Sequence, residues 1–462
     1  MSISVQTDST SKIKWAITIV VTLIILMIPT NDVYTRQMSL FFASTVFALF
    51  MMAFEFFDPI VVSIIMPMSW VALGVTNAAG AMSGWTNTIM YMVVGAYFLA
   101  NALGESGLLK RIALLIIAKT GGKWLGLLFG VFLAGVVVSI LTFGLSYIIL
   151  ATLCIGIIKS LELKVPSKAS AMICFACMLG CCSSRCFIYA PSTYAVVIAQ
   201  GQLIDPAFNI TAIQAFTHNF PMFIVSVITL LIVYKLWKTD ASLQSADYFR
   251  NELATMGKMG KTEKKTAVFL VIFFAMLLTG PWTGVDANLL FALAPWMLLL
   301  PGINVASMES VRTLNWQNVF FIAGCMAIGT VAASLGIGGI IAQFATPFMV
   351  NASSFGFFSV VFAITFVLNF FMTPLAIWSL MTVPLCQIAL DIGMNIRPVC
   401  YALVMCSEAI ILPYEYVPYL IVYSFGMISM GDFVKLNVMR CVLYFIGFLA
   451  LLLPYWMLIG IL

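Results

Sequence analysis

The chain has 462 residues, of which 63% are hydrophobic and 8% charged. Soluble domains carry roughly 25% charged residues, so 22 Lys+Arg and 17 Asp+Glu exclude a soluble globular protein. The apolar runs are long and continuous, which predicts an all-α polytopic membrane protein rather than a barrel. At about 20 residues per span, the length allows roughly ten to twelve spans. We attribute the net charge of +5 to the loops. The sequence contains no basic run interleaved with aromatic residues, so nucleic-acid binding is not predicted.

The order of apolar and basic segments predicts the topology. The first apolar run, residues 15–27, has no small-residue cleavage site after it and predicts a retained span with a cytoplasmic N-terminus. The lysine-rich stretch 235–266 predicts a cytoplasmic loop. Lys435 and Arg440, taken as charges that precede the last span 441–462, place the C-terminus outside. The number of spans is then odd, and eleven fits the length, in a bacterial-type inner (cytoplasmic) membrane.

Two long apolar stretches are interrupted by residues that break helices. The stretch 127–159 breaks around Thr142-Phe143-Gly144, and the stretch 359–390 breaks between Asn369 and Pro374. Both predict discontinuous helices or re-entrant hairpins. Backbone groups left unpaired at such breaks must be buried in protein or line a water-filled cavity, so the breaks predict the binding site.

The two halves of the chain resemble each other. Residues 95–113 align without gaps on residues 324–342, and each copy continues into a broken stretch and then a proline-containing loop. This order predicts an inverted repeat, which is typical of secondary transporters and places the substrate between the copies. The predicted division is N-terminal scaffold helices 1–84, first repeat with the first hairpin 85–234, cytoplasmic loop 235–266, scaffold helices 267–314, second repeat with the second hairpin 315–434, and C-terminal span 435–462.

Two segments carry a resemblance to a known family. The segment 104–114 (GESGLLKRIAL) and the segment 412–430 (LPYEYVPYLIVYSFGMISM) are similar to motifs of the divalent-anion:sodium symporter family, within the ion-transporter superfamily. The resemblance runs from about Trp85 to the C-terminus. It implies a homodimer of eleven-span protomers with two re-entrant hairpins and an elevator movement. It also implies cation-coupled transport of a small organic anion of the di- or tricarboxylate type.

The motifs at the hairpin tips differ from the family pattern. Where the family has two Ser-Asn-Thr triplets, this chain has Ser146-Tyr147-Ile148 and Pro374-Leu375-Ala376. The two proline loops are Tyr189-Ala190-Pro191-Ser192 and Tyr416-Val417-Pro418-Tyr419. These side chains offer fewer oxygen ligands, whereas backbone N–H groups at the breaks still suit an anion. We therefore expect a larger, partly apolar anion rather than sulfate.

Three charged residues lie inside apolar segments. Arg185 precedes the first proline loop, and Glu408 and Glu415 precede the second. A charge at membrane depth costs about 3 kcal/mol or more unless it is paired or hydrated, so all three are functional candidates. The structural alternative is an ion pair between Arg185 and a glutamate. We hypothesise that Glu415 titrates as a proton-coupling group and that Arg185 replaces a cation or pairs with the substrate's carboxylate.

These arguments define a predicted site. No cofactor or bound metal is expected beyond Na+ or H+ as coupling ion, and the expected partners are the organic anion, membrane lipid and a second copy of the chain, with no nucleic acid. The predicted substrate-binding residues are Ser146, Tyr147, Ser183, Ser184, Arg185, Pro191, Ser192, Thr373, Pro374, Pro418 and Tyr419. The predicted ion-coupling residues are Thr142, Ser146, Ile188, Asn369, Ala376, Glu408 and Glu415.

Other classes of protein stay open as alternatives. One is a sodium-independent anion exchanger or a proton-coupled carrier of a less charged or sulfonate-type anion. Another is an ion channel, although two matched breaks favour alternating access. An enzyme is not expected, because the chain has one histidine and no nucleophile or phosphate-loop motif. The eleven cysteines are interpreted as packing residues rather than as a metal or disulfide framework.

Overall fold

The computed structural model describes residues 9–54, 56–120, 123–144, 147–237, 246–337, 353–370 and 373–462. Within these ranges the chain is helical or irregular, and none of the residues forms a β-strand. The predicted all-α class is therefore confirmed.

The helices of the first half end at the polar segment between the two repeats. In chain order they are α1 (Ser9–Met27), α2 (Arg36–Ala53), α3 (Pro59–Ala72), α4 (Ala78–Ala81), α5 (Ser83–Thr86), α6 (Thr88–Glu105), α7 (Leu108–Thr120), α8 (Trp124–Thr142), α9 (Tyr147–Ser160), α10 (Lys168–Cys181), α11 (Pro191–Gly201), α12 (Ala212–Asn219) and α13 (Pro221–Leu236).

The second half begins with the helix of the polar segment. Its helices are α14 (Ala246–Thr255), α15 (Lys261–Thr283), α16 (Ala287–Leu293), α17 (Met308–Arg312), α18 (Trp316–Ser334), α19 (Ser354–Asn369), α20 (Pro374–Asp391), α21 (Ile396–Cys406), α22 (Val417–Ser424), α23 (Met430–Gly447) and α24 (Leu453–Leu458). Short 3-10 turns lie at Ser183–Cys186, Ala294–Leu299 and Pro413–Glu415, and a π-helical turn lies at Phe448–Leu452.

Polar side chains determine where several of these helices begin. Asp58, Asn87 and Asn395 each accept a hydrogen bond from a backbone N–H in the first turn of α3, α6 and α21. Ser167 and Ser170 cap α10 reciprocally. Such caps satisfy N–H groups that have no partner within the helix, which lipid cannot satisfy.

Several helices are suited to crossing a membrane. Five helices in the described part of the chain are long and apolar enough, and the number is seven if each of two bent pairs counts as one span. The bends are 66° between α6 and α7 and 54° between α12 and α13. Shorter apolar helices are also present. The chain is thus a multi-span membrane protein, while the total of eleven stays a prediction.

Both predicted helix breaks are present. Helix α8 ends at Thr142, and Phe143 and Gly144 follow with φ angles of 54° and 89° before α9 begins. Helix α19 ends at Asn369, and α20 begins at Pro374. Left-handed backbone is unfavourable for a residue with a Cβ atom. The Phe143 ring is held between aromatic rings of α15 and α16, with its centroid 4.4 Å from that of Phe291.

The two halves repeat the same order of elements. In the alignment of residues 95–113 on 324–342, Gly107 corresponds to Gly336, and both are left-handed glycines that follow the ends of α6 and α18. The broken pair α8 and α9 corresponds to α19 and α20, and α10 corresponds to α21. Pro191 begins α11 and Pro418 lies in the first turn of α22. The inverted relation between the copies stays a prediction.

The polar segment between the repeats is tied to the first repeat. Arg111 of α7 donates to both carboxylate oxygens of Glu263, at 2.7 and 3.0 Å, and its Nη1 donates to the carbonyl of Gly257 at 2.8 Å. The Arg111 hydrogen bonds hold the pKa of Glu263 below its ordinary value. A bidentate pair of this kind fixes the start of α15 against α7.

Close packing of α8 against α10 depends on two glycines. A Cβ atom added to Gly135 would lie 2.9 Å from the backbone of Gly180, closer than real contacts allow. We predict that Gly135→Val lowers the free energy of unfolding by about 1–3 kcal/mol, because the helices must separate. Thermal unfolding in detergent measures the effect. Gly431→Ala in α23 is the control, since no atom lies within 4 Å of its added Cβ, and an equal melting temperature for both variants would contradict the role of this crossing.

Candidate functional site

A cluster of three charged side chains lies where α10, α21 and α23 meet. Arg185, Glu408 and Arg440 have exposed fractions of 3%, 2% and 1%. Glu408 Oε1 pairs with Arg185 Nε, and Glu408 Oε2 accepts a hydrogen bond from Arg440 Nη1 at 2.6 Å. Two positive charges against one negative charge leave this buried cluster with a net charge of +1.

Arg440 is held by hydrogen bonds in several directions. Its Nη1 also donates to the hydroxyls of Tyr419 and Ser183, the latter at 2.7 Å. Its Nη2 donates to the carbonyls of Glu408 at 2.7 Å and Ile410 at 3.1 Å. The guanidinium group also lies 4.9 Å from the centre of the Tyr419 ring. This arrangement fixes Arg440 and, through it, one oxygen of Glu408.

Arg185 has fewer partners than Arg440. Its guanidinium group stacks over the rings of Tyr416 and Trp378, at 4.1 and 5.4 Å from their centres. Its Nη2 donates to the carbonyl of Ser407 at 3.3 Å, whereas its buried Nη1 has no hydrogen-bond partner among the described residues. A buried donor without a partner is costly, and a positive donor between aromatic rings suits a planar anionic group.

The second helix break adjoins Arg185. Asn369 Nδ2 donates to the carbonyls of Ser407 at 3.4 Å and Ala409 at 3.3 Å. Trp378, one turn into α20, donates to Ser407 Oγ at 3.0 Å. Asn369 Oδ1 and Thr373 Oγ1 are buried and have no partner in the part of the chain that the structure describes. Thr373 does not cap α20 with its side chain, and within the described residues no group accepts a hydrogen bond from the N–H of Leu375 or Ala376, which suits an anion.

Glu415 is buried in a different way from Glu408. Its carboxylate accepts hydrogen bonds from the backbone N–H groups of Leu412 at 2.8 Å and Ile411 at 3.2 Å. Its exposed fraction is 2%, and no described Lys or Arg forms an ion pair with it. Arg185 therefore pairs with Glu408, which is the ion pair between Arg185 and a glutamate that the sequence left open as an alternative. Among the described residues, the buried carboxyl group of Glu415 has no counter-ion in direct contact.

The structure brings part of the predicted site together. Ser183 Oγ donates to Glu408 at 3.0 Å and contacts Tyr419 at 3.0 Å. Tyr147 opens α9, which packs against α22, the helix that begins directly after Tyr416. The predicted prolines lie in the first turns of helices. Pro191 and Ser192 begin α11 after the first proline loop, Pro374 begins α20 after the second break, and Pro418 lies in the first turn of α22.

Other predicted site residues make hydrogen bonds to nearby backbone or have apolar side chains. Thr142 Oγ1 donates to the carbonyl of Val138 at 2.8 Å, and Ser184 Oγ donates to that of Cys181 at 3.0 Å. Ile188 and Ala376 are buried apolar side chains. Ser146 lies outside the described residues. Side-chain oxygen ligands for a sodium ion are therefore scarce at these four described positions.

Sequence reasoning missed Arg440. Its interpretation as a charge preceding the last span is wrong, because α23 begins at Met430 and buries Arg440 in its interior. The available signal was its position between the apolar pairs Val438-Met439 and Cys441-Val442. Trp378 and Ser407 were also not among the predicted site residues, whereas Tyr416 lies in the predicted loop 415–419.

Comparison with known proteins identifies the class. The family described as Sodium:sulfate symporter transmembrane region matches residues 9–462. The chain therefore belongs to this family of membrane transporters, which confirms the resemblance drawn from the sequence. A "Membrane protein" of Cupriavidus necator is 22% identical over 286 residues, or 59% of this chain, and the match spans 55% of that relative's length.

Two solved structures share the fold. The YdaH transporter of Alcanivorax borkumensis has a TM-score of 0.54 at 15% identity, covering 83% of this chain and 88% of that one. MtrF of Neisseria gonorrhoeae, described with a class of antimetabolite efflux pumps, has a TM-score of 0.56 at 16% identity, covering 80% and 82%. Fold and family together define a membrane transporter of the anion symporter type.

The charged cluster makes a direct prediction for stability. Glu408→Gln leaves two buried arginines without a counter-charge, and we expect a loss of about 3–5 kcal/mol in the free energy of unfolding. Adding Arg185→Met removes one of the two uncompensated charges and is expected to restore part of that loss. Thermal unfolding of these two variants and of Arg185→Met alone in detergent measures the coupling.

The control for this cycle is Glu309→Gln. Glu309 lies 3.8 Å from Arg312 on the surface, so we expect a change below about 1 kcal/mol. Wild-type stability in Glu408→Gln would show that the buried pair contributes nothing.

Proposed function

We propose that the protein is a secondary active transporter of a small organic anion across the cytoplasmic membrane. The observation that carries this proposal is Nη1 of Arg185, which has no hydrogen-bond partner among the described residues and belongs to a cluster with a net charge of +1 beside the start of α20. A fixed positive charge and free helix N–H groups attract an anion without requiring a bound metal. A carboxylate or sulfonate group fits this donor set.

The walls of the site bear on the rest of the substrate. Tyr416 and Trp378 flank Arg185, and Tyr147 lies near Tyr416. Aromatic walls favour an anion with an apolar body over sulfate, which would lose its hydration without gaining apolar contacts. The proposed substrate is therefore a partly apolar carboxylate or sulfonate.

An elevator movement is the proposed mechanism. The repeated order of elements supports it, because helix breaks from the two halves are typical of carriers that move a central site. The N-terminal helices α1–α3 pack with α18 as an apolar cluster of their own around Phe41 and Trp70, which suits a scaffold role. We propose that residues 1–84 and 267–314 form the scaffold of a homodimer and that the two repeats carry the hairpins.

The proton is the proposed coupling ion. Arg185 and Arg440 supply buried positive charge that disfavours a sodium ion nearby, and the predicted ion-coupling residues Ile188 and Ala376 contribute apolar side chains. Glu415 is a buried carboxyl group in the same segment as Glu408, and protonation is the simplest way to neutralise it. A sodium-independent exchanger is the competing reading, and a channel would differ by showing unitary currents.

Arg185→Met tests the binding role. Removing the guanidinium leaves Glu408 paired with Arg440, so the fold is retained while the anion loses a charged hydrogen bond. We expect a 10- to 100-fold weaker affinity for the anion, which corresponds to about 1.5–3 kcal/mol. A thermal-shift screen of carboxylates and sulfonates identifies the ligand, and calorimetry measures the affinity. Lys435→Met on the exposed face of α23 is the matched control, and equal affinities in the two variants would exclude Arg185 from the site.

Glu415→Gln tests the coupling role. In liposomes with purified protein, acidification on the uptake side should accelerate wild-type uptake, because a proton must bind before the loaded carrier moves. We expect the variant to lose this acceleration. Full uptake with unchanged pH dependence would remove the proton role, and strict sodium dependence of the wild type would replace it with sodium coupling.

A further inference from the structure

The buried charges around the site can be counted. Arg185 and Arg440 are positive, and Glu408 is negative and bound by both. The other titratable groups that face Arg440, Glu408 or Glu415 are thiols and phenols, which are neutral at physiological pH. They are Cys182, Cys186, Cys441, Tyr416, Tyr419 and Tyr444.

Among the described groups of this cluster, Glu415 is the one that can change the total. When its carboxyl group is ionised, two positive and two negative charges cancel. When it is protonated, a charge of +1 remains. The stretches 145–146 and 371–372, next to the two breaks, contain no ionisable residue and leave the count unchanged.

Glu415 is linked to the arginines through one short peptide segment. Arg440 Nη2 binds the carbonyls of Glu408 and Ile410, and Glu415 binds the N–H groups of the next two residues. Arg440 also acts on Glu415 electrostatically. The segment 408–412 therefore carries both Glu408, which pairs with Arg185, and the two N–H groups that bind the carboxylate of Glu415.

We propose that the carrier moves one monovalent anion together with one proton, without net charge transfer. This inference rests on the proposed function and specifies its substrate charge and stoichiometry. Desolvation opposes the movement of a site with net charge across the membrane, and the membrane potential opposes it in one of the two directions, so neutral states move most readily. The loaded state is neutral when a monoanion is bound and Glu415 is protonated. The empty state is neutral when Glu415 is ionised.

A dianion does not satisfy this balance. With Glu415 protonated it leaves the loaded site at −1, and with Glu415 ionised at −2. The preference for a monovalent anion therefore follows from Glu408, because its carboxylate already neutralises one of the two positive charges that a dianion would require. The proton taken up by Glu415 on one side is released on the other side after the anion leaves.

Matched anions test the charge preference. The purified full chain is titrated by calorimetry with glutaramate and glutarate, and with 3-sulfamoylbenzenesulfonate and benzene-1,3-disulfonate, so that the two members of each pair have nearly the same shape and differ in charge. We expect at least tenfold tighter binding of the monoanion in any pair that binds. Tighter binding of the dianion overturns the inference while leaving an anion transporter in place. Absence of binding in both pairs counts against the proposed function itself.

Transport assays test the stoichiometry. Benzenesulfonate is the anion of a strong acid and its charge does not change over the pH range of the assay, so a pH effect on its uptake into liposomes belongs to the protein. We expect an inward acid gradient to drive uptake, and the rate to change less than twofold when a potassium diffusion potential is imposed. Uptake that generates a current overturns the electroneutral balance.

Glu415→Gln separates coupling from a structural role. This variant stays at +1 when empty, so its empty carrier cannot return. We expect net uptake to fall at least tenfold while exchange of benzenesulfonate across the liposome membrane is retained. Equal loss of both activities would indicate a structural role, and unchanged net uptake would overturn the proposal. Glu309→Gln, at the exposed pair with Arg312, serves as the control.

Discussion

The buried carboxylate of Glu408 is the point on which the interior of the protein depends. It lies between Arg185 from the first repeat and Arg440 from α23, and it follows α21 of the second repeat. Two arginines in an apolar interior are tolerable only because this one carboxylate compensates part of their charge. The same ion pairs join three separate parts of the chain at the place where the helix breaks leave backbone groups available.

The two arginines have different environments, and their roles differ accordingly. Arg440 donates to two hydroxyls, a carboxylate and two carbonyls, which makes it a fixed part of the framework, and its Nε has no hydrogen-bond partner among the described residues. Arg185 rests on aromatic rings and keeps one donor without a partner among the described residues. A site with one fixed and one available positive group can exchange ligands without dissolving the ion pair that supports it.

Local sequence signals predicted the fold well, and long-range partners only in part. The breaks after Thr142 and Asn369 were predictable because glycine, proline and polar residues interrupt otherwise continuous apolar runs. The sequence could not show which glutamate pairs with Arg185, because Glu408 and Glu415 lie close together in the chain. The packing of α10 against its neighbours is what brings Glu408 to Arg185. Arg440 was missed because, near the end of a predicted span, the sequence does not distinguish a charge in a loop from a charge buried within the helix.

The left-handed conformation of Phe143 has a mechanical consequence. Its ring is enclosed by Phe273 and Phe274 of α15 and by Phe291 of α16, which belong to the proposed scaffold, whereas Phe143 belongs to the first hairpin. In the proposed elevator movement, a displacement of the hairpin past the scaffold would separate this ring from its aromatic neighbours. We therefore expect the aromatic cluster to favour the observed position of the hairpin through apolar contacts alone, without any charge in the membrane interior.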